Sequence, residues 1–300
     1  MIAAVLTTML FAVSAISSSR AARLMGPIDA SFVRLAIATT LLALYAFNFG
    51  QGLAGPGLAF FLLSGLIGFG VGDNALFYAY QKLGARLAIL LAQCLAVPFA
   101  AVTEWLWLGT VLTEQIPWML LILAGVCLAL LPPKKQQLLS ALSWSGIAFG
   151  VVAALAQGWG AVLSRKAISI NEAALFHVDG ATASFQRIVA GVVISACLLW
   201  FLKTRRNSVS VLAAVSAPRP ARLPMATLCL ANAISGPVLG VSCYQWALAS
   251  APSAVVLAIV ATTPIVVLPL AWLLENDRPT RVSMLGSFIA IAGIVGLLSR

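Results

Sequence analysis

Apolar residues run in long blocks along the chain, interrupted at intervals by charges, prolines and glycines. A span of hydrocarbon needs about 20 apolar residues. On that measure the pattern predicts ten helical spans, at about 2–19, 30–48, 56–81, 87–108, 117–131, 144–164, 181–202, 223–248, 255–274 and 282–298. The third is unusual. Pro56 to Gln81 is apolar for most of its length, carries Gly65, Gly68, Gly70 and Gly72, and then turns polar at Asp73 and Asn74. As a straight helix it would reach roughly 39 Å, more than the roughly 30 Å of a bilayer core, so it is expected to tilt, kink or break. Irregular backbone at membrane depth is tolerated where protein or a water-filled cavity satisfies its polar groups, which suggests a cavity wall beside Asp73. Close helix packing is the alternative use for such glycines.

The second half of the pattern repeats the first. Ala30-Ser-Phe-Val-Arg34 recurs as Ala183-Ser-Phe-Gln-Arg187, and Ser19-Arg20 recurs as Ser164-Arg165. A shift of 166 residues places Gly70 on Gly236, Tyr78 on Tyr244 and Pro98 on Pro264, and Leu123-Ala-Gly125 matches Ile291-Ala-Gly293 a little further on. The matches keep their order, which predicts a duplicated unit of five spans, 1–135 and 136–300. Five is odd, so the two units enter the membrane from opposite sides as an inverted repeat.

Composition sharpens this into a class. The chain is 62% hydrophobic and 9% charged, with a mean hydropathy of +1.04, which marks an all-α integral membrane protein rather than a soluble domain. The net charge of +10 reports orientation and contact with lipid head groups, and nucleic acid is not implied. Fourteen of the eighteen Lys and Arg residues fall on the odd-numbered links, among them Lys82, Arg86, Lys134, Lys135, Arg219 and Arg278. The positive-inside rule makes those links cytoplasmic and both termini periplasmic. Arg34 and Arg187 recur in both halves and are read as serving packing rather than topology. The five cysteines, with no metal-ligand spacing, are read as small buried apolar residues, and neither metal nor cofactor is expected. The first apolar run is read as a retained helix rather than a signal peptide.

Polar groups inside the spans are the candidates for function, because a side-chain amide facing lipid is costly and should point inward. Asn74, Tyr78 and Gln81 share a helix face by their spacing, as do Ser242 and Gln245, and Tyr244 repeats Tyr78. Gln93, Gln157, Trp159, Ser164 and Asn232 lie on the fourth, sixth and eighth spans, with Ser14 and Ser17 on the first. Interhelical hydrogen bonding and a substrate pathway are both open to Asn74, Gln93, Gln157 and Gln245. Trp159 and Trp246 suit either aromatic stacking on a substrate or packing. Asp73, the one acid well inside a span, could bind a substrate ammonium group, couple to protons, or pair with a nearby arginine. Glu104, beside Trp105 and Trp107 near a span end, reads as an interfacial anchor, and His177 as solvated. Gly70, Gly72, Pro98, Gly236 and Pro264 are hinge candidates. Pro98 and Pro264 each free one carbonyl and are expected to give the halves matching bends.

Ten spans in two inverted halves, an arginine early in the second span of each (Arg34, Arg187), and a tyrosine-bearing third span leading to the Pro98-containing fourth together resemble the EamA-type drug/metabolite transporter superfamily. Within it the resemblance is to the YddG-type exporters of aromatic amino acids and related metabolites. It covers the whole chain. Two departures stand out: the charge pattern argues for periplasmic rather than cytoplasmic termini, and the Gly-Glu after the fourth and ninth spans survives only as Glu275, with Gly109-Thr110 in the first half. The resemblance implies a central cavity lined by the first, third, fourth, sixth, eighth and ninth spans. It also implies a secondary transporter of the bacterial inner membrane, exporting neutral amino acids, aromatic ones among them, by alternating access; ten spans are enough to enclose a pathway within one chain, so a monomer is expected. A drug or nucleotide-sugar carrier is the alternative within the superfamily. An intramembrane enzyme is disfavoured by the lone histidine and unclustered cysteines, and no nucleotide-binding loop is present.

Overall fold

The structure, a computed structural model, describes residues 2–129, 143–206, 222–275 and 281–298. Among them it is helical, with no strand. The helices are α1 (Ile2–Met25), α2 (Pro27–Asn48), α3 (Leu58–Gly65), α4 (Asn74–Leu108), α5 (Ile116–Ala129), α6 (Trp144–Ala173), α7 (Gly180–Arg206), α8 (Arg222–Ala233), α9 (Leu239–Ser250), α10 (Ser253–Val260), α11 (Thr263–Glu275) and α12 (Arg281–Leu298). Seven helical segments are long and apolar enough to cross a membrane, and three shorter apolar ones, Ile116–Ala129, Ser253–Pro269 and Arg281–Leu297, fall on the remaining expected spans. The boundary expected at 135/136 lies outside the described residues, as do Lys134, Lys135, Arg219, Arg278 and Arg300.

The long third span neither breaks nor runs as an ordinary helix. Between α3 and α4 the chain winds as a π-helix over Leu66–Asp73, where the glycines gather. A second π-helical stretch, Ile234–Val238, joins α8 to α9 around Pro237. Wider winding displaces one i→i+4 bond and lets a helix bend without stopping. Gly70 and Gly72 lie in the first stretch and Gly236 in the second. The turn between the third and fourth spans falls at Gly84, whose φ of 76° suits only glycine well.

The two prolines expected to bend matching spans behave differently. Pro98 sits inside α4 without interrupting it. Pro264 is the second residue of α11, after α10 has ended in a turn at Ala261 and Thr262. There Thr263 Oγ1 donates to the Val260 carbonyl (2.6 Å), the group that Pro264 leaves without its helical donor. The proline thus starts a helix rather than bending one.

Glu104 is not an interfacial anchor. It is fully buried, pairs with Arg165 Nε at 2.9 Å, and accepts from Ser253 Oγ (2.7 Å), Ser253 N (3.2 Å) and Ala254 N (3.2 Å) at the start of α10. Arg165 in turn donates to the carbonyls of Leu248 (3.2 Å) and Ala251 at the end of α9. Each charge therefore meets the helix end of opposite polarity. Satisfied in this way, Arg165 does not end its helix, and α6 continues nine residues beyond the expected limit at Ser164. The cysteines also divide: Cys94 and Cys229 are buried, whereas Cys127 and Cys197 face outward.

Small residues allow the close crossings. A Cβ at Gly65 would overlap the Arg187 carbonyl oxygen on α7, and Gly125 and Gly286 bring the backbones of α5 and α12 together.

Candidate functional site

The π-helical stretches face one another across a cavity in the middle of the bundle. It offers about 80 Å³ to the centres of water-sized groups, several times what one buried water needs. Its wall is drawn from α1 (Phe11, Ser14, Ala15), α2 (Arg34), the first π-helical stretch (Gly68, Phe69, Gly72, Asp73), α4 (Leu76, Tyr80, Ile89, Ala92, Gln93), α6 (Ala153, Gln157), α7 (Arg187), the second π-helical stretch (Gly236) and α9 (Val241, Tyr244). The resemblance implied a wall from spans one, three, four, six, eight and nine. Among the described residues the ninth supplies nothing to this lining, and the second and seventh enter through the long side chains of Arg34 and Arg187.

Those two arginines are not packing residues alone. Each is buried, each lies over an aromatic ring at 5.3 Å (Arg34 over Phe77, Arg187 over Phe69), and each reaches a glycine of the opposite π-helical stretch. A Cβ on Gly236 would stand 3.2 Å from Arg34 Nη1, and one on Gly68 would stand 3.1 Å from Arg187 Nη2. The glycines therefore make room for the guanidinium groups.

Their electrostatics differ. Arg34 Nη2 holds Asp73 Oδ1 at 2.6 Å, Ser31 Oγ donates to Asp73 Oδ2 at 3.4 Å, and Arg34 Nη1 reaches Ser14 Oγ at 3.4 Å. Of the roles open to Asp73 in the sequence, pairing with a nearby arginine is the one this geometry displays. Arg187 has no carboxylate partner and makes no hydrogen bond through its guanidinium among the described residues. Its Nε is fully buried and unpartnered, as is the hydroxyl of Tyr244 on the same cavity.

The other candidates scatter. Gln93 and Gln157 meet in the cavity, Gln157 Nε2 donating to Gln93 Oε1 at 3.4 Å. Asn232 stands behind the wall, accepting from Ser14 (3.0 Å) and Ser18 (2.9 Å). Asn74 turns to α7, donating to Ser195 Oγ (2.8 Å) and to the Gly70 carbonyl (2.7 Å). Ser164 bonds Ser64 at 2.8 Å, and Ser242 returns its hydroxyl to the Val238 carbonyl. Tyr78 stacks on Phe149 at 4.9 Å outside the cavity, while Tyr80, two residues on, lines it. Gln81, Trp159 and Trp246 are exposed on the outer surface. Gln245 is buried with its amide unpartnered, and it lines with Ser242 a separate hollow near His177, itself exposed.

Sequence reading passed over Arg34, Arg187, Tyr80, Phe11 and Phe69 as site residues. The signal for the arginines was present, in the repeated Ala-Ser-Phe-x-Arg string.

The sequence profile of the EamA-like transporter family matches residues 1–131 and 144–299. The chain belongs to that family. It is therefore a multi-pass membrane transporter of the drug/metabolite superfamily, with an all-helical fold. A solved crystal structure of another protein covers 97% of this chain and 94% of its own, at 14% identity and a TM-score of 0.67, which establishes a shared fold and nothing about cargo. No curated protein matches the chain.

Proposed function

We propose that this EamA-like transporter moves neutral amino acids, aromatic ones among them, and related small metabolites out of the cell by alternating access. The observation that carries this reading is the central cavity of mixed chemistry. Aromatic rings (Phe11, Phe69, Tyr80, Tyr244) form an apolar wall, and amides and arginines supply a small set of polar groups, the lining expected of a small-molecule site.

The two halves are inverted repeats in this reading. Support comes from the family profile falling on two stretches of similar length and from π-helical winding that includes Gly70 in one and Gly236 in the other. The π-helical stretches are the hinges. The Glu104–Arg165 pair, with the start of α10, ties the N-terminal part of the chain to the C-terminal part at one end of the bundle. Opening that end must part this cluster, whereas opening the other end leaves it intact. On the positive-inside reading of the odd links, that other end is the cytoplasmic one in a bacterial inner membrane, with both termini periplasmic and one chain enclosing the pathway.

The test is uptake of labelled amino acids into liposomes holding the purified protein, with and without an imposed pH gradient. Saturable flux of aromatic amino acids supports the reading, and flux confined to drugs or sugar nucleotides overturns it.

A further inference from the structure

The duplicated arginines are the place where the two halves resemble each other most in position and least in charge balance. Arg34 is neutralised at 2.6 Å by Asp73 from the first π-helical stretch. The sequence equivalent of Asp73 in the second repeat falls around Pro237, Val238 and Leu239, none of which carries a carboxylate. Arg187 consequently lacks the counter-ion that its twin has. Among the described residues, Arg34, Asp73 and Arg187 are the only ionisable side chains of the wall apart from its tyrosines, and together they carry one net positive charge.

A buried cation without a counter-ion is costly to hold in a bilayer-embedded bundle. Arg187 is 6% exposed, yet beyond the Phe69 ring its guanidinium meets no hydrogen-bond acceptor among the described residues, and Gly68 and Gly160 leave the space around Nη2 clear of side chains. Tyr244, 3% exposed on the same cavity, adds a hydroxyl with no partner. Two unpartnered donors thus border one cavity. A planar guanidinium fork with a hydroxyl on the same cavity suits a carboxylate, which accepts two parallel N–H bonds and one O–H bond. One guanidinium without a counter-ion suits one carboxylate rather than a phosphate or a dicarboxylate.

We propose that Arg187 and Tyr244 form the carboxylate subsite of the transporter, so that its cargo must carry one carboxylate group. The proposal rests on the transport reading above and narrows it. The carboxylate neutralises Arg187 as Asp73 neutralises Arg34, and the remainder of the cargo lies against Phe11, Phe69 and Tyr80, within reach of Gln93. Loading the cavity gives Arg187 the counter-ion it lacks, and a loaded bundle is held together better than an empty one.

The test uses the full-length protein in nanodiscs, read by thermal unfolding and by isothermal titration. The probes are the proteinogenic amino acids, 3-phenylpropionate (a carboxylate without an ammonium), and L-phenylalaninamide and phenethylamine (an ammonium without a carboxylate). At least one amino acid and 3-phenylpropionate should bind and raise Tm, with the amide and the amine weaker by roughly ten- to hundredfold, the worth of charge-assisted hydrogen bonds. Arg187→Gln should remove that difference, Arg187→Lys should restore part of it, and Tyr244→Phe should reduce it less.

Ligand-free Arg187→Gln should also melt higher than the parent, because it removes an unpaired buried charge. A structural arginine would give the opposite sign. Equal binding of acid and amide, no binding by any carboxylate probe, a lowered ligand-free Tm in Arg187→Gln, or unchanged carboxylate binding in that variant would each overturn the proposal. Flux without carboxylate selectivity sinks this subsite and leaves transport standing. Carboxylate binding that depends on Arg187, without flux, does the reverse.

Discussion

Replacing Glu104 by alanine tests the cluster at the junction of α4, α6 and α10. In the folded protein its carboxylate is fully buried and holds four groups: Arg165 Nε at 2.9 Å, Ser253 Oγ at 2.7 Å, and the amides of Ser253 and Ala254 at 3.2 Å. Glu104→Ala leaves two amides at a helix start without an acceptor and Arg165 without its anion. Removing one partner of a buried pair costs about 3–5 kcal/mol, and loss of a helix cap costs about 1 kcal/mol. The contributions share atoms and do not add, so about 3–5 kcal/mol is expected in all. A loss of that size lowers Tm by roughly 6–20 °C in a chain of this length. Glu104→Gln keeps an acceptor for Ser253 and should lose roughly half as much. Glu104→Ala combined with Arg165→Ala should lose less than the two singles together, by about 1–3 kcal/mol. The assay is thermal unfolding of the parent and these four variants, Arg165→Ala included, in one detergent. A shift below about 2 °C for Glu104→Ala, or strict additivity in the cycle, would refute the reasoning from burial and helix-end charge.

Asp73→Asn strands Arg34 in the cavity and should destabilise the protein by about 3–5 kcal/mol, with Arg34→Gln in the same chain recovering part of the loss; thermal unfolding reads both. The opposite sign expected for Arg187→Gln makes the two arginines each other's control. Gly65→Ala drives a methyl group into the Arg187 carbonyl of the facing helix and should prevent correct folding, read as loss of the monodisperse peak in size exclusion. Gly109→Ala meets no atom within 4 Å and pays only for its φ of 68°, about 1 kcal/mol, so the protein should stay folded and melt slightly lower. Thr263→Val takes from the Val260 carbonyl the hydroxyl that bonds it at 2.6 Å and should cost about 1–2 kcal/mol by the same melting assay.

The sequence by itself determined the membrane-spanning class and the approximate position of the spans, because lipid forces every apolar run to close its own backbone bonds as a helix and leaves a long signal in one dimension. It also marked the glycine-rich third span as irregular, and it displayed the Ala-Ser-Phe-x-Arg repeat that carries both cavity arginines. What each polar residue does was decided by tertiary structure. Asn74, Tyr78 and Gln81 share a spacing, yet Asn74 packs on α7, Tyr78 on Phe149, and Gln81 faces outward, since each meets a different neighbour at its own height along the span. Tyr80 takes the cavity position instead. Glu104 looked like a surface anchor because its partners are distant in sequence, Arg165 on α6 and the start of α10. The same distance hides the difference between Arg34 and Arg187. Their Ala-Ser-Phe-x-Arg strings match in all but one letter, and the three-dimensional neighbours show that one has a counter-ion at 2.6 Å and the other has none among the described residues.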